Sequence, residues 1–293
     1  MKSLLALTLV ACAGAIPAPP KSSSTPGDCA LSETSFSITH IITATSVFHI
    51  NGVNLLTDPF FSPANTSFPV LGAYFITVLG NPALQPDQVP PIDAVLLSHE
   101  DHPDNLDDIG RTHFLDGRKV LTTPDGANAL RPRPGVTGLQ AWQTIQLNVN
   151  GETWNITGTP CKDLPGGQVV GFVLRGPGFG FTNGLPNAIW YSGDTVYLEE
   201  LSQLKDMFRI RAAVFNMGDA HAIVNDTELK ITMDGTDVAR LFKAVGADIL
   251  VPMHYNPWSH FKETVSQLKK DLEAAGVADR TRWLVPGQRT RIF

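Results

Sequence analysis

The chain has 293 residues, 43% of them hydrophobic and 17% charged, with a formal net charge of -6 at pH 7. That length and balance suit a globular protein with a sizeable buried core and exclude a disordered, highly charged chain. The acidic balance argues against nucleic acid as a partner, because the densest basic stretches, Arg131-Pro132-Arg133 and Arg280 to Arg291, are short and interrupted.

The first residues read as a targeting segment. Lys2 precedes the apolar run Leu4 to Ala11, and Ala13-Gly14-Ala15 supplies small residues at a cleavage position. This is the pattern of a secretory signal peptide over residues 1–15, too short to span a bilayer. Residues 16–35 are rich in Pro, Ser and small residues and read as a leader. A single domain is expected over residues 36–293, in a secreted, extracellular protein with no membrane-spanning helix. Three acceptor sequons, starting at Asn65, Asn155 and Asn225, fit a glycoprotein. Cys12 leaves with the signal, so Cys29 and Cys161 remain, either as one disulfide or as two unpaired thiols.

In chain order, Phe36 to Thr43 and Ser46 to Ile50 are β-like, and Asn51-Gly52 signals a hairpin turn into a buried strand, Val53 to Thr57, that ends at Asp58-Pro59. Phe60 to Pro91 has many Pro and Gly residues and little periodicity, so a long surface loop at a pocket mouth is expected. Ile92 to Leu97 is a buried strand, and Leu106-Asp107-Asp108-Ile109 opens a helix for which Asp104 is a candidate N-cap. A strand at Lys119 to Thr123, a short helix at Pro124 to Leu130, and a hairpin of Trp142 to Val149 with Thr153 to Thr159 follow. Further strands are expected at Gln168 to Leu174, Ala188 to Ser192 and Ala212 to Asn216, with a helix at Tyr197 to Leu204. Then come an amphipathic helix Thr236 to Val245, a buried strand Asp248 to Met253, a helix Lys262 to Ala275 and a last strand Thr281 to Val285. Hairpins in the first half and strand–helix alternation in the second fit a β core faced by helices, a mixed α/β class.

The chemistry concentrates where strands end. The run Ser98-His99-Glu100-Asp101-His102-Pro103-Asp104-Asn105 packs two histidines and several carboxylates directly behind a buried strand. A solvated helix cap accounts for the acids but not for His99 and His102, whereas imidazole and carboxylate together suit a divalent ion such as zinc. Three other strands end in potential ligands, at Thr159-Pro160-Cys161-Lys162-Asp163, Ser192-Gly193-Asp194-Thr195 and Pro252-Met253-His254-Tyr255. Rigid strands presenting such groups on one edge point to a shared metal site. His40 and Asp58 are candidates to orient ligands, and Asp58, at a strand end before proline, is equally a turn former. His221 either lines the pocket or anchors its loop.

These motifs resemble the metallo-β-lactamase fold superfamily, in the branch similar to L-ascorbate-6-phosphate lactonase, from about Ser37 to the C-terminus. Thr39-His40, Thr43-Ala44-Thr45 and Leu55 to Pro59 look like the family's opening strands, and Ser98-His99 through Asp107 stands in the place of its H-x-H-x-D-H signature. Ser192 to Thr195 matches the turn of the bridging aspartate, and Pro252 to Tyr255 with Trp258 to Phe261 resembles the last ligand and its aromatic neighbours. The signature carries one extra residue, so either Asp101 or His102 fills the second histidine's place, with His102 preferred because imidazole suits zinc. Asn105 stands where the family has a histidine, and Asp163 falls where its Thr-Pro-x-x-His motif has one.

The resemblance implies a four-layer αββα sandwich. It implies His99, His102 and Asp163 as ligands of one ion and Asp104, Asp194 and His254 as ligands of another. The cofactor is then zinc, one or two ions, with manganese or iron admitted by the oxygen-rich set. Asp104 and His102 become the catalytic candidates, and Tyr255, Trp258 and His260 pocket walls or proton donors. The implied activity is hydrolysis of a small ester, lactone, amide or phosphodiester through a metal-bound hydroxide. Asn105 and Asp163 keep open the alternative of a secreted, catalytically inactive binding protein that retains the fold.

Overall fold

The computed structural model describes residues 34–70, 74–162, 167–224 and 227–293. The segment expected to be a signal peptide and most of the leader, Cys29, Asp163 and Asn225 lie outside the described residues.

The strands in chain order are β1 (Phe36–Ile42), β2 (Thr45–Ile50), β3 (Val53–Thr57), β4 (Ser67–Val70), β5 (Tyr74–Thr77), β6 (Ala94–Leu96), β7 (Lys119–Thr122), β8 (Val136–Gly138), β9 (Thr144–Val149), β10 (Glu152–Pro160), β11 (Val170–Arg175), β12 (Phe181–Thr182), β13 (Leu185–Tyr191), β14 (Arg209–Asn216), β15 (His221–Val224), β16 (Thr227–Lys230), β17 (Ile249–Met253) and β18 (Arg289–Arg291). The α-helices are α1 (Asp108–Phe114), α2 (Pro124–Ala129), α3 (Leu204–Met207), α4 (Gly235–Val245) and α5 (Val265–Ala274). Among the described residues, no helix is long and apolar enough to cross a membrane.

Two sheets carry the fold. The first runs β18-β1-β2-β3-β6-β7-β8, and the second β17-β14-β13-β11-β10-β9 with β12 beside β13. Side chains alternate between strand faces, and that alternation sorts the core into layers. Phe172, Leu174, Ile189 and Tyr191 of the second sheet meet Ile38, Phe48, Leu55 and Leu96 of the first in the central layer. Their neighbours Val173, Ala188 and Trp190 point the other way, onto Val238, Leu241 and Phe242 of α4 and Leu268 and Leu272 of α5. On the outer face of the first sheet, Val47, Leu56, Val95 and Val120 pack with Phe60, Phe61 and Phe114. The result is the expected αββα order of four layers.

Helix ends follow local chemistry. Asp234 caps α4, its carboxylate accepting from Asp237 N at 2.8 Å, and Gly246 closes the helix in the left-handed region at φ 67°. The cap of α1 is Asp107, whose Oδ1 accepts from Gly110 N at 2.7 Å. Asp107 Oδ2 also accepts from Phe61 N and Ser62 Oγ. Asp104 is therefore not the cap; its carboxylate is buried one turn earlier, at the sheet edge.

Three expectations change. The segment from Phe60 to Pro91 is not a plain surface loop: it contains the β4–β5 hairpin, and Phe60, Phe61 and Val78 are buried. The helix expected at Tyr197 to Leu204 is a 3-10 turn, Glu199–Gln203, leading into α3. Thr281 to Val285 is not a strand. It touches β17 through a single bridge at Leu250, and the last strand is β18, which pairs with β1. Pro286 and Gly287 end the extended run and redirect the chain to the far edge of the other sheet.

Candidate metal centre

Strands β3, β6 and β7 are parallel, as are β13, β14 and β17. Their C-terminal ends therefore share directions within each sheet, and the residues that follow them emerge at one edge. Asp58 follows β3, His99 follows β6, Asp194 follows β13 and His254 follows β17. The two edges meet where Val170 N donates to Ser98 O at 3.0 Å. Gly193 makes that approach sterically feasible. It has φ 62°, and a Cβ there would stand 2.9 Å from Val170 O and 3.2 Å from Ser98 Cβ.

Two groups of ligand atoms form at this edge, each with its atoms within 4.8 Å of one another. Asp104, Asp194 and His254 make a fully buried group, and His99, Asp101 and His102 a more open one. The structure thus places both Asp101 and His102 beside His99, whose ring meets that of His102 at 4.6 Å and 81°.

In the buried group, His254 Nε2 lies 3.2 Å from Asp194 Oδ2 and 3.4 Å from Asp104 Oδ2. It does so without hydrogen-bond alignment to either carboxylate. His254 Nδ1 faces Met217 O at 3.1 Å; a carbonyl only accepts, so this nitrogen carries the proton and Nε2 is the ligand-type atom. The residue sits in the left-handed region at φ 58°, its N–H donating to Thr43 O at 3.0 Å. Thr43 O also faces His40 Nε2 at 3.0 Å, and Thr43 Oγ1 accepts from Trp258 Nε1 at 2.8 Å. Thus His40 acts on the site through the loop that holds His254.

Burial favours neutral forms here, but mutual attraction outweighs it. Burial would lower His254, yet Asp194 and Asp104 hold its imidazole well above the ordinary value. Burial would likewise raise Asp104 and Asp194. The adjacent imidazoles instead keep Asp104 well below the usual carboxylate range and lower Asp194.

A hydrogen-bond chain joins both sheets behind these ligands. Asp58 accepts from Ser98 N at 2.6 Å, Ser98 Oγ at 2.9 Å, Asn105 Nδ2 at 3.3 Å and Tyr191 OH. The Ser98 hydroxyl spends its one proton on Asp58 and so accepts from His99 Nδ1, 2.9 Å away, which fixes the ring of His99. Asn216 Nδ2 bonds Tyr191 OH at 2.9 Å and Asp194 Oδ1 at 2.6 Å. Asp58 is wholly buried, and burial first, opposed by the Tyr191 hydrogen bond, pushes its carboxyl up to about 7. Tyr191 and Asn216 escaped the sequence reading; a hydroxyl and an amide on otherwise apolar core strands are the only local signal.

Asn105 is turned toward Asp58 through its amide nitrogen. Its Oδ1, fully buried, has no hydrogen-bond partner among the described residues. His260 Nε2 stands 3.4 Å from Asp104 Oδ2 and its ring is buried. Trp258 is buried behind it, its ring 5.1 Å from Phe60 and 5.6 Å from His260, and does not line the cavity. Tyr255 turns away into the helix layer, with its ring 5.7 Å from Trp283.

The residues fit a divalent cation. Two carboxylates held ionised and one imidazole converge in the buried interior, and among the described residues the buried amide oxygen of Asn105 nearby has no hydrogen bond. A cavity of about 350 Å³ opens over both groups, with Asp101, His102, Asp104 and His260 on its wall.

An αββα sandwich with carboxylates and imidazoles gathered at its parallel strand ends defines the class as a metal-centred one. The family model described as a beta-lactamase superfamily domain matches residues 53–255, and the chain belongs to that superfamily. A metal-dependent hydrolase of Methanopyrus kandleri is 23% identical over 259 residues, 82% of this chain and 92% of that protein. The mitochondrial N-acyl-phosphatidylethanolamine-hydrolyzing phospholipase D of Saccharomyces cerevisiae is 29% identical over 172 residues, 54% of this chain and 34% of the relative. Among solved structures, isothiocyanate hydrolase from Delia radicum gut bacteria is similar at a TM-score of 0.70 and 20% identity, covering 87% of this chain and 98% of that one.

Proposed function

We propose that this chain is a metal-dependent hydrolase of a small ester, lactone, amide or phosphodiester. The observation that carries the reading is the buried convergence of Asp104, Asp194 and His254 beneath a cavity. The names of its relatives as metal-dependent hydrolases support it. Asp104, Asp194 and His254 would hold one ion; His99 and His102, with Asp101 beside them, would hold a second. Zinc is the ion proposed, and manganese or iron also suits the carboxylate-rich set. When bound, such an ion polarises the scissile carbonyl or phosphoryl oxygen and lowers the pKa of water to about 7.

The chain's own groups then divide the work. Asp104, held ionised, accepts a hydrogen bond from the attacking water and orients it. The water's own proton leaves to solvent, and His260, whose Nε2 stands 3.4 Å from Asp104 Oδ2 at the cavity wall, carries a proton of its own. His260 delivers it to the leaving group. Secretion is part of the proposal, supported by Lys2, Leu4 to Ala11 and Ala13-Gly14-Ala15.

The test pairs elemental analysis of the purified protein with hydrolysis of a lactone and phosphodiester panel, before and after chelation. Stoichiometric metal and hydrolysis that is lost with chelator and restored by zinc are expected. Hydrolysis indifferent to chelator, in protein without stoichiometric metal, would refute the reading.

A further inference from the structure

The cavity has two unlike sides. One is the polar edge with Asp101, His102, Asp104 and His260; the other is built by two hairpins. From β4–β5 come Val70, Tyr74 and Ile76, and from the β15–β16 hairpin and the residue after it come Ala222 and Ile231. Among the described residues no lysine or arginine lines it. Lys230 of the second hairpin and Lys262, bonded to that hairpin, are committed elsewhere. Lys230 Nζ bonds Asp234 at 2.5 Å and Asp237 at 2.7 Å, and Lys262 Nζ bonds Glu228. His221, on the rim, faces Asp219 Oδ1 at 3.0 Å and Glu228 Oε1 at 3.5 Å. Residues 71–73, 163–166 and 225–226 add no lysine or arginine in sequence.

An anionic substituent bound against the hairpin wall, away from the reacting bond, would leave water for the apolar surface of Val70, Ile76, Ala222 and Ile231, with no lysine or arginine of the described residues lining that wall to receive it. An uncharged alkyl or aryl group loses nothing on entering and gains by burial. We infer that the part of the substrate away from the reacting bond is neutral and apolar. The substrate is then an uncharged ester, lactone or amide with a compact alkyl or aryl substituent, not one bearing an additional phosphate or carboxylate. This inference rests on the hydrolase reading above and narrows it.

The test compares γ-phenyl-γ-butyrolactone with its para-carboxylate analogue on the metal-containing protein, reading kcat/KM for hydrolysis and, separately, binding by saturation-transfer NMR. The neutral lactone should be favoured at least tenfold in both. Tyr74→Lys, with Ile231→Lys as a second variant in case the first misfolds, places a cation on the wall and should bring the ratio toward unity or invert it. Equal or better handling of the carboxylate by the unaltered protein overturns the inference while leaving the hydrolase reading intact. So does a ratio unmoved in both folded variants. Selective binding of the neutral lactone without turnover removes the hydrolase reading and supports the pocket assignment; binding of neither overturns the pocket assignment.

Discussion

Replacing His254 by alanine tests the electrostatic logic of the centre in the metal-free protein as well as the loaded one. The imidazole is 1% exposed and the side chains of Asp104 and Asp194 are 7% and 4% exposed, so water screens none of the three well. At separations of 3.4 and 3.2 Å, an effective dielectric of about 20 makes each attraction worth about 5 kcal/mol before desolvation is subtracted. Removing the imidazole that both share leaves two buried carboxylates facing each other, and breaking a buried pair in this way costs roughly 3–5 kcal/mol. For a domain of this size that is a fall in Tm on the order of 6–20 °C. Differential scanning calorimetry of the chelator-treated His254→Ala and parent proteins measures it, and elemental analysis should show the metal of the buried group lost. An unchanged Tm in the metal-free state, or full metal content in the variant, would refute the argument that these three groups form one coupled centre.

Metal binding should release protons. The carboxylates hold His254 protonated above its ordinary value, and an ion must displace that proton. Affinity should therefore rise with pH, and the calorimetric heat of zinc binding should vary with the ionisation enthalpy of the buffer; a buffer-independent heat would contradict this. The same raised pKa stabilises the metal-free fold below about pH 6.5, and that contribution is lost as pH rises through the folded value. Burial and then the neighbouring Asp271 push Glu263 up to about 8 from 4.5. The folded state keeps a proton there that the unfolded chain gives up, so stability should decline as pH rises across that interval. Glu263→Gln should flatten the decline in urea unfolding between pH 5 and pH 8, and an unaltered slope would discount Glu263 as its source.

Much of this was legible because it is local. Continuous apolar runs in β11 and β13 forecast buried strands, and Gly193 before Asp194 or Met253 before His254 marks the point where a buried strand becomes a polar turn. The carboxylates and imidazoles of both ligand groups stand at such points, so sequence alone determined which residue types reach the sheet edge. The Asn51-Gly52 turn between β2 and β3 was equally plain, both residues adopting positive φ. The two hairpins that wall the cavity were not legible. Ser67 to Thr77 and His221 to Lys230 have short strands and weak alternation, and only packing on the sandwich makes them ordered walls.

Tertiary structure also decided which residues act together. Asp58, Tyr191, Asn216 and Asp194 are far apart in sequence and become one hydrogen-bond chain only when the two sheets stack. His254 and Tyr255 show the same division at closest range. They are adjacent, and sequence assigned both to the site. The left-handed backbone at His254 aims its imidazole at the carboxylates while Tyr255 departs into the helix layer. A side chain's chemistry is carried by its identity, but its direction depends on a backbone angle that the contacts of Thr43, Met217 and Gly218 impose from other parts of the chain.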